Sequence, residues 1–276
     1  MLKRGISLGL LCITGHVYSA NITVNTTEDV VKADAQCSLR EAIEYVNQGM
    51  PEAGYNGCGG KDASSVIELI GKSEYKINSQ LMISKSLLIR SIYDNTAIDS
   101  LLGKNNAVIK MAGKDRIFLI DRTLAPGFDK LTSIDKASLI TASFNEITLN
   151  GCDQTSCADQ GGLIFNKENV LLQYTQLLNG KARQGGAIYN AGAYTENKPL
   201  SSVGITNSLI RGNTANQGGV IYSVMPQFIV TGSVVRDNEA TNADASLFET
   251  EKAFDEKTSG IIGTASGRGI INTTIF

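Results

Sequence analysis

The sequence predicts an all-β protein that folds as a right-handed parallel β-helix (a solenoid) with an N-terminal capping α-helix. Two repeated motifs and one capped amphipathic helix lead to this fold class. The chain has 276 residues, of which 28 are Gly and only 4 are Pro. Such a composition suits many short strands that are joined by tight turns.

The first repeated motif begins with an aliphatic residue, has a small hydroxyl residue three positions later and ends in a polar Asn/Gly corner. It occurs at Leu172–Gly180, Ile205–Asn213 and Val230–Asn238. Repeats of this length that tolerate loops are typical of solenoids, in which like residues stack on like at about 4.8 Å. We therefore expect an inward aliphatic column of Leu172, Ile205 and Val230. A hydroxyl column is expected beside it, made of Thr175, Ser208 and Ser233.

The second motif is a Gly pair followed by Ile and an aromatic residue. It occurs at Gly161–Asn166, Gly185–Asn190 and Gly218–Ser223, and an exposed loop over residues 194–201 explains the wider second spacing. The glycines should allow a corner with positive φ between sheets. The aromatic position predicts a ring stack in the core. A sugar-stacking strip that includes Tyr194 is the alternative.

The N-terminal half contains further short strands with turn residues between them. They are predicted at Val66–Ile70, Tyr75–Ile77, Leu81–Ile83, Leu87–Arg90, Ile117–Ile120 and Ile147–Leu149. Residues 94–106 are predicted to form a loop with a short helical turn, and residues 123–138 a second excursion.

One helix precedes these strands. Ser38 and Glu41 have the spacing of a capping box, and Leu39, Ala42, Ile43 and Val46 share one face. The open end of a solenoid exposes core and needs a cover. We therefore predict three segments, namely a signal peptide (1–20), an N-terminal cap (21–64) and a parallel β-helix (65–276).

The first twenty residues resemble a secretory signal. Lys3 and Arg4 precede a mostly apolar run over residues 6–13, and cleavage is expected after Ser19 or Ala20. No later stretch reaches the roughly 18 apolar residues of a transmembrane helix. We expect an exported protein, secreted or at the outer-membrane surface of a Gram-negative bacterium.

Four cysteines remain in the mature chain, namely Cys37, Cys58, Cys152 and Cys157. An even number in an exported chain favours two structural disulfides. Of the three connectivities, local pairing of Cys37 with Cys58 and Cys152 with Cys157 is the simplest. The only histidine, His16, leaves with the signal, and no metal site or cofactor is predicted.

The string Cys37–Ile43 (CSLREAI) resembles the CSLREA region near the start of secreted bacterial β-helix proteins. Within that group the layout of cysteines and loops is closest to the rhombotarget A family. The resemblance implies a right-handed β-helix at the cell surface and supplies no catalytic residues. It also implies a C-terminal sorting segment and a hydrophobic span, which this sequence lacks before Phe276. We expect either further residues in the native product, a partner that covers this end, or residues 241–259 folded back as a lid.

Few side chains are candidates for a catalytic or binding role. Asp153 and Asp159 flank the second cysteine pair and Asp121 follows a strand, and all three are interpreted as solvated loop charges. Arg211 and Arg236 are equivalent in the repeat and should stack on neighbouring coils, balanced by Asp237 and Glu239 or by an anionic glycan. The candidate glycan contacts are Arg211, Arg236 and Tyr194.

The function that the sequence favours is a non-enzymatic exported scaffold for adhesion or matrix association. Its partners would be a surface glycan or another cell-surface protein. A formal net charge of −2 offers no general attraction to nucleic acid. The alternative is a glycan-active β-helix enzyme, a polysaccharide lyase or hydrolase, whose carboxylates the sequence does not reveal.

Overall fold

The computed structural model of the protein describes residues 20–93, 103–133, 138–192, 201–224 and 227–250, and the backbone of 270–275. Residues 1–19 of the predicted signal peptide lie outside these residues, as do most of the predicted loops at 94–106 and 194–201. The described chain contains one α-helix, α1 (Leu39–Asn47), and short 3-10 helices at Arg122–Leu124 and Phe128–Lys130.

The strands are short and follow one another along the whole described chain. They are β1 (Ala20–Thr23), β2 (Ala63–Ile70), β3 (Glu74–Ile77), β4 (Leu81–Ile83), β5 (Leu87–Ile92), β6 (Ala107–Met111), β7 (Phe118–Ile120), β8 (Thr141–Asn145), β9 (Ile147–Asn150), β10 (Ala158–Gln160), β11 (Ile164–Asn166), β12 (Asn169–Gln173), β13 (Gln176–Leu178), β14 (Lys181–Gln184), β15 (Ile188–Asn190), β16 (Ser202–Thr206), β17 (Leu209–Arg211), β18 (Thr214–Gln217), β19 (Ile221–Ser223), β20 (Phe228–Arg236), β21 (Glu239–Ala240), β22 (Phe248–Thr250) and β23 (Ile270–Ile275).

These strands form parallel ladders, which we name by their order along one coil. The first face contains β1, β2, β5, β8, β12, β16 and the start of β20, and the second contains β3, β6, β9, β13, β17 and the end of β20. The third face contains β10, β14, β18 and β21, and the fourth contains β4, β7, β11, β15, β19 and β22. The passes from β8 onward visit the four faces in the same order, and the first two passes go from the second face to the fourth, so the strands form an all-β parallel solenoid.

The predicted aliphatic column is confirmed. Leu172 pairs with Ile205, and Ile205 pairs with Val230. The same register continues towards the N-terminus through Phe144, Ile89, Ile67 and Ile22, and every member of the column is at most 1% exposed. The column lies in a hydrophobic core that runs without a break from Ile22 to Phe248.

The hydroxyl column is also confirmed, and it is hydrogen bonded along its length. The Oγ of Ser208 accepts from the backbone N–H of Thr175, and the Oγ of Ser233 accepts from that of Ser208, both at 3.1 Å. Each Ser hydroxyl also donates to a carbonyl two residues earlier. These three side chains are buried, and they satisfy backbone groups at the corner between the first and second faces.

The doubled glycines make the predicted corner. Gly161, Gly185 and Gly218 all have φ between 59° and 67°, a region that favours glycine. A Cβ at Gly185 would clash with the carbonyl oxygen of Ile188. Both the conformation and the space at this corner therefore require glycine.

The predicted aromatic stack forms and two of its rings are buried, but the stack lies outside the main hydrophobic cluster. The rings of Phe165, Tyr189 and Tyr222 do stack, with centroids 5.4 and 5.6 Å apart. However, they alternate along their strands with Ile164, Ile188 and Ile221, which belong to the core cluster. Because successive side chains of a strand point to opposite sides, the rings point away from that cluster, although Tyr189 and Tyr222 are buried.

The helix α1 begins at the predicted capping box. The Ser38 side chain accepts from the N–H of Glu41, and the Glu41 carboxylate accepts from the N–H of Ser38. The predicted apolar face of α1 is buried, and the helix contacts β2 and β4. The boundary of the predicted cap at residue 64 differs from the structure, because β1 already pairs with β2 in the first face and β2 begins at Ala63.

Candidate functional site

The four cysteines form the two local disulfides, Cys37–Cys58 and Cys152–Cys157. The first joins the residue before the capping box to the loop after α1. The second closes a short loop between β9 and β10, and both of its cysteines are buried. Two disulfides are typical of a chain that folds in an oxidising compartment.

Polar contacts join α1 to the first coil, which consists of β2, β3 and β4. Arg40 donates from Nε and Nη2 to the two carboxylate oxygens of Asp29, at 2.7 and 3.0 Å. The same guanidinium donates to the backbone carbonyls of Ser79 and Gln80, in the turn between β3 and β4. Asp29 accepts in addition from the N–H of Asn78 at 2.8 Å. This arginine therefore ties the helix to the first coil.

Two further polar side chains complete this junction. Glu41 is buried and accepts from the backbone N–H of Lys32 at 2.6 Å as well as from the capping box. At the other end of α1, Asn47 donates to the carbonyl of Met82 and accepts from the N–H of Ser84. These contacts satisfy buried polar groups, which is a structural role.

The predicted glycan contacts are only partly assembled. Arg211 and Arg236 occupy paired positions on neighbouring coils of the second face. Arg211 forms an ion pair with Asp237 at 3.4 Å, and both side chains are more than half exposed. Tyr194 lies outside the described residues, so its predicted contact stays a prediction.

The acids beside the second disulfide are solvated, as predicted. Asp153 pairs with Lys110 at 2.6 Å, and Asp159 pairs with Arg183 at 2.6 Å. These cations hold the pKa of both carboxyl groups below its usual range. Their side chains are 83% and 65% exposed, so the pairs add little to stability.

The interpretation of Asp121 as a solvated charge was wrong. Its side chain is 3% exposed, lies 2.6 Å from the ammonium group of Lys167 and caps the following 3-10 helix through Thr123. Burial alone would raise the pKa of Asp121, but Lys167 and the Thr123 hydrogen bonds outweigh it, so the pKa is lowered. The partner Lys167 comes from the next coil, which is why the local sequence gave no sign of burial.

Glu168 lies beside this pair and was missed in the sequence. Its carboxylate accepts from Nη1 and the backbone N–H of Arg122 and from the N–H of Ile140, at 2.9 to 3.1 Å. Burial raises the pKa of Glu168, although the contacts with Arg122 and Ile140 oppose the rise. Together the two acids anchor the excursion after β7 to the next coil.

The aromatic stack on the fourth face has cations beside it. The guanidinium carbon of Arg116 is 5.1 Å from the centre of the Phe165 ring, and Nζ of Lys167 is 6.0 Å from it. Tyr189 and Tyr222 are 7% and 6% exposed. The two tyrosine rings therefore do not present an open strip on which a sugar could stack.

A cavity of about 450 Å³ opens on the outside of the first two coils, where the first face turns towards the second. Ile70 and Ile92, which pair at the ends of β2 and β5, line it together with Tyr93. Thr23, Lys72 and Asn105 supply its polar groups. The local sequence gives no sign of this cavity, although the predicted loop over residues 94–106 follows β5 at this corner.

Among the residues that the structure describes, no group of three or more His, Cys, Asp or Glu side chains could hold a metal ion. Nor does any helix in these ranges have the length and apolar character to cross a membrane. No protein-family model, curated protein or solved structure matches the chain.

Proposed function

We propose that the chain is an exported, non-enzymatic scaffold of the bacterial cell surface, with adhesion or matrix association as its role. The observation that carries this proposal is the use of its buried acids. Glu41, Asp121 and Glu168 are the buried carboxylates of the described residues, and each is held by donors that fix the fold. A glycan-cleaving enzyme instead needs carboxylates that face the substrate.

The resemblance of Cys37–Ile43 to the CSLREA region supports the same role. In this proposal the coils wind right-handed, as parallel crossover connections almost always do, and α1 is the cap of the N-terminal end. The contacts of Arg40 and Asn47 with the first coil support that cap. The two disulfides support export, and the segment before Ala20 would be the signal peptide.

Expression in a Gram-negative host, followed by fractionation and mass spectrometry, tests export. We expect a product in the medium or the outer-membrane fraction that begins after Ser19 or Ala20. A product that stays in the cytoplasm with its first twenty residues intact would contradict the proposal.

Incubation with a panel of polysaccharides tests the absence of catalysis. We expect the protein to be retained on one or more polysaccharides while no new reducing ends and no unsaturated products appear. Release of either product would support the alternative, a lyase or hydrolase of the β-helix type. A preparation with Glu168→Gln then shows whether that buried acid takes part.

A further inference from the structure

The cavity at the corner of the first two coils combines surfaces of three kinds. Ile70 and Ile92 supply aliphatic lining, and Tyr93 supplies an aromatic ring. This ring lies against Gly71, where any Cβ would clash with it. Its hydroxyl donates to Oδ1 of Asn106 at 3.3 Å, which fixes the ring at the side of the cavity.

Thr23, Asn105 and Lys72 are the polar side chains among the described residues that line the cavity, and Lys72 is the one of these three that is charged at neutral pH. Burial raises the pKa of Tyr93, and the nearby Glu146 carboxylate raises it further, so the phenol stays neutral. The ammonium group of Lys72 would attract an anionic group of a ligand in the cavity.

The volume of the cavity and its mixture of apolar and polar groups restrict the class of ligand that it could bind. The volume falls within the roughly 300–1,000 Å³ of small-molecule sites, which are mostly apolar with a few placed polar groups. A pyranose ring has one apolar face that packs on an aromatic side chain, and hydroxyls around its edge. A carboxylate on that ring would meet Lys72.

We propose that this cavity binds an acidic saccharide unit of the uronic acid type. The sugar face packs on Tyr93, its carboxylate pairs with Lys72, and its hydroxyls bond to Thr23 and Asn105. This inference rests on the proposed role as a surface scaffold and names the ligand class of that role. It places the glycan site on the N-terminal coils, away from Arg211 and Arg236.

Calorimetric titration of the purified exported protein with a galacturonic acid trimer, and with the matching uncharged galactose trimer, tests the site. We expect the acidic trimer to bind at least about tenfold more tightly, a difference that corresponds to one well-placed charged contact. Equal affinity for the two trimers, or binding of neither, would overturn the proposal. This comparison needs no variant.

Four variants locate the binding. Lys72 has φ of 64°, a conformation that Asn adopts more readily than most residues, so Lys72→Asn removes the charge with little strain on the backbone. We expect Lys72→Asn to weaken the affinity for the acidic trimer roughly tenfold. The control is Lys104→Asn, at an exposed lysine that does not line the cavity, and it should leave the affinity unchanged.

The two tyrosine variants test the ring. Tyr93→Leu should abolish binding of the acidic trimer, and Tyr93→Phe should keep the affinity within about twofold, because the ring and not the hydroxyl makes the contact. Unchanged affinity in both Lys72→Asn and Tyr93→Leu would place the glycan elsewhere.

The polysaccharide panel and the trimer titration together distinguish failure of the cavity site from failure of the proposed function. The polysaccharide panel measures retention and cleavage by the whole protein, whereas the trimers measure occupation of one cavity. Retention without trimer binding would overturn the cavity site and leave the scaffold role standing. Cleavage would overturn the scaffold role, whatever the trimers show.

Discussion

The guanidinium of Arg40 donates hydrogen bonds to both carboxylate oxygens of Asp29, and this ion pair links α1 to the first coil of the solenoid. The side chains of the two residues are 18% and 5% exposed. Because Asp29 also accepts from the backbone of Asn78, loss of the arginine would leave a nearly buried charge without its main partner. The pair therefore offers a direct test of how strongly the helix is held.

Arg40→Ala should lower the free energy of unfolding by about 2 kcal/mol, the typical worth of hydrogen bonds to charged groups. Urea denaturation, followed by circular dichroism, measures this. The matched control is Arg183→Ala, because Arg183 makes the same two-oxygen contact with Asp159 in an exposed place. Equal losses for the two variants would show that α1 does not depend on the ion pair.

Removal of the first disulfide should cost more than removal of the second. In the chain-entropy model, closing the loop between Cys37 and Cys58 is worth roughly 3 kcal/mol, and the shorter loop between Cys152 and Cys157 roughly 2 kcal/mol. Paired Cys→Ser variants, unfolded in urea, give both values. Peptide mapping without reduction should find both bonds in the exported protein, and free thiols at Cys37 and Cys58 would contradict this prediction.

Ile205→Asp should unfold the central coils, with a loss on the order of 4–5 kcal/mol, since it buries an unpaired charge in the aliphatic column. Leu171→Asp is the control, because Leu171 lies on the same face of the solenoid but points outward and is 49% exposed. We expect the control to melt within a few degrees of the unaltered protein. Similar melting temperatures for the two variants would contradict the assignment of inward and outward positions.

The ion pair between Asp121 and Lys167 should make the free energy of unfolding depend on pH in the acidic range. The pKa of Asp121 is lowered from 3.8 in the folded protein, so its contribution is complete above that value and is lost as the pH falls through the lowered pKa. Asp121→Asn should be less stable than the unaltered protein at neutral pH, and the difference should shrink below about pH 4. Urea titrations across this range measure the difference.

The control for this pH series is Asp153→Asn. The pKa of Asp153 is also lowered, by its hydrogen bond and ion pair with Lys110, but its side chain is solvated. We expect a much smaller effect at every pH. An Asp121→Asn variant whose stability tracks that of the unaltered protein throughout would show that the buried pair makes no net contribution.

Gly185→Ala tests the corner between the third and fourth faces. Two Gly→Ala variants can separate the cost of a positive φ from the cost of a clash, because Gly127 has φ of 77° with open space around it. We expect Gly127→Ala to lower the free energy of unfolding by about 1 kcal/mol, because of the strain of a positive φ. Gly185→Ala should lower it by about 1–3 kcal/mol more, because the added Cβ also meets the carbonyl of Ile188. Equal melting temperatures would show that the contact is relieved at no cost.

The repeats, the helix and the cysteines could be read from the sequence because each depends on local spacing. Leu172, Ile205 and Val230 share one position in a motif, and parallel stacking puts equal positions in contact. The capping box of Ser38 and Glu41 lies within a single turn of helix. Such signals do not depend on where the rest of the chain lies.

Only the tertiary structure decided which side chains are buried by other coils. Asp121 is buried because Lys167, 46 residues later, covers it, and Phe165 faces outward although its motif is apolar. The cavity beside Tyr93 exists because β1, β2 and β5 end at the same corner. A sequence repeat specifies which residues stack, but burial and cavities depend on segments brought together from distant parts of the chain, whose combined shape no local pattern encodes.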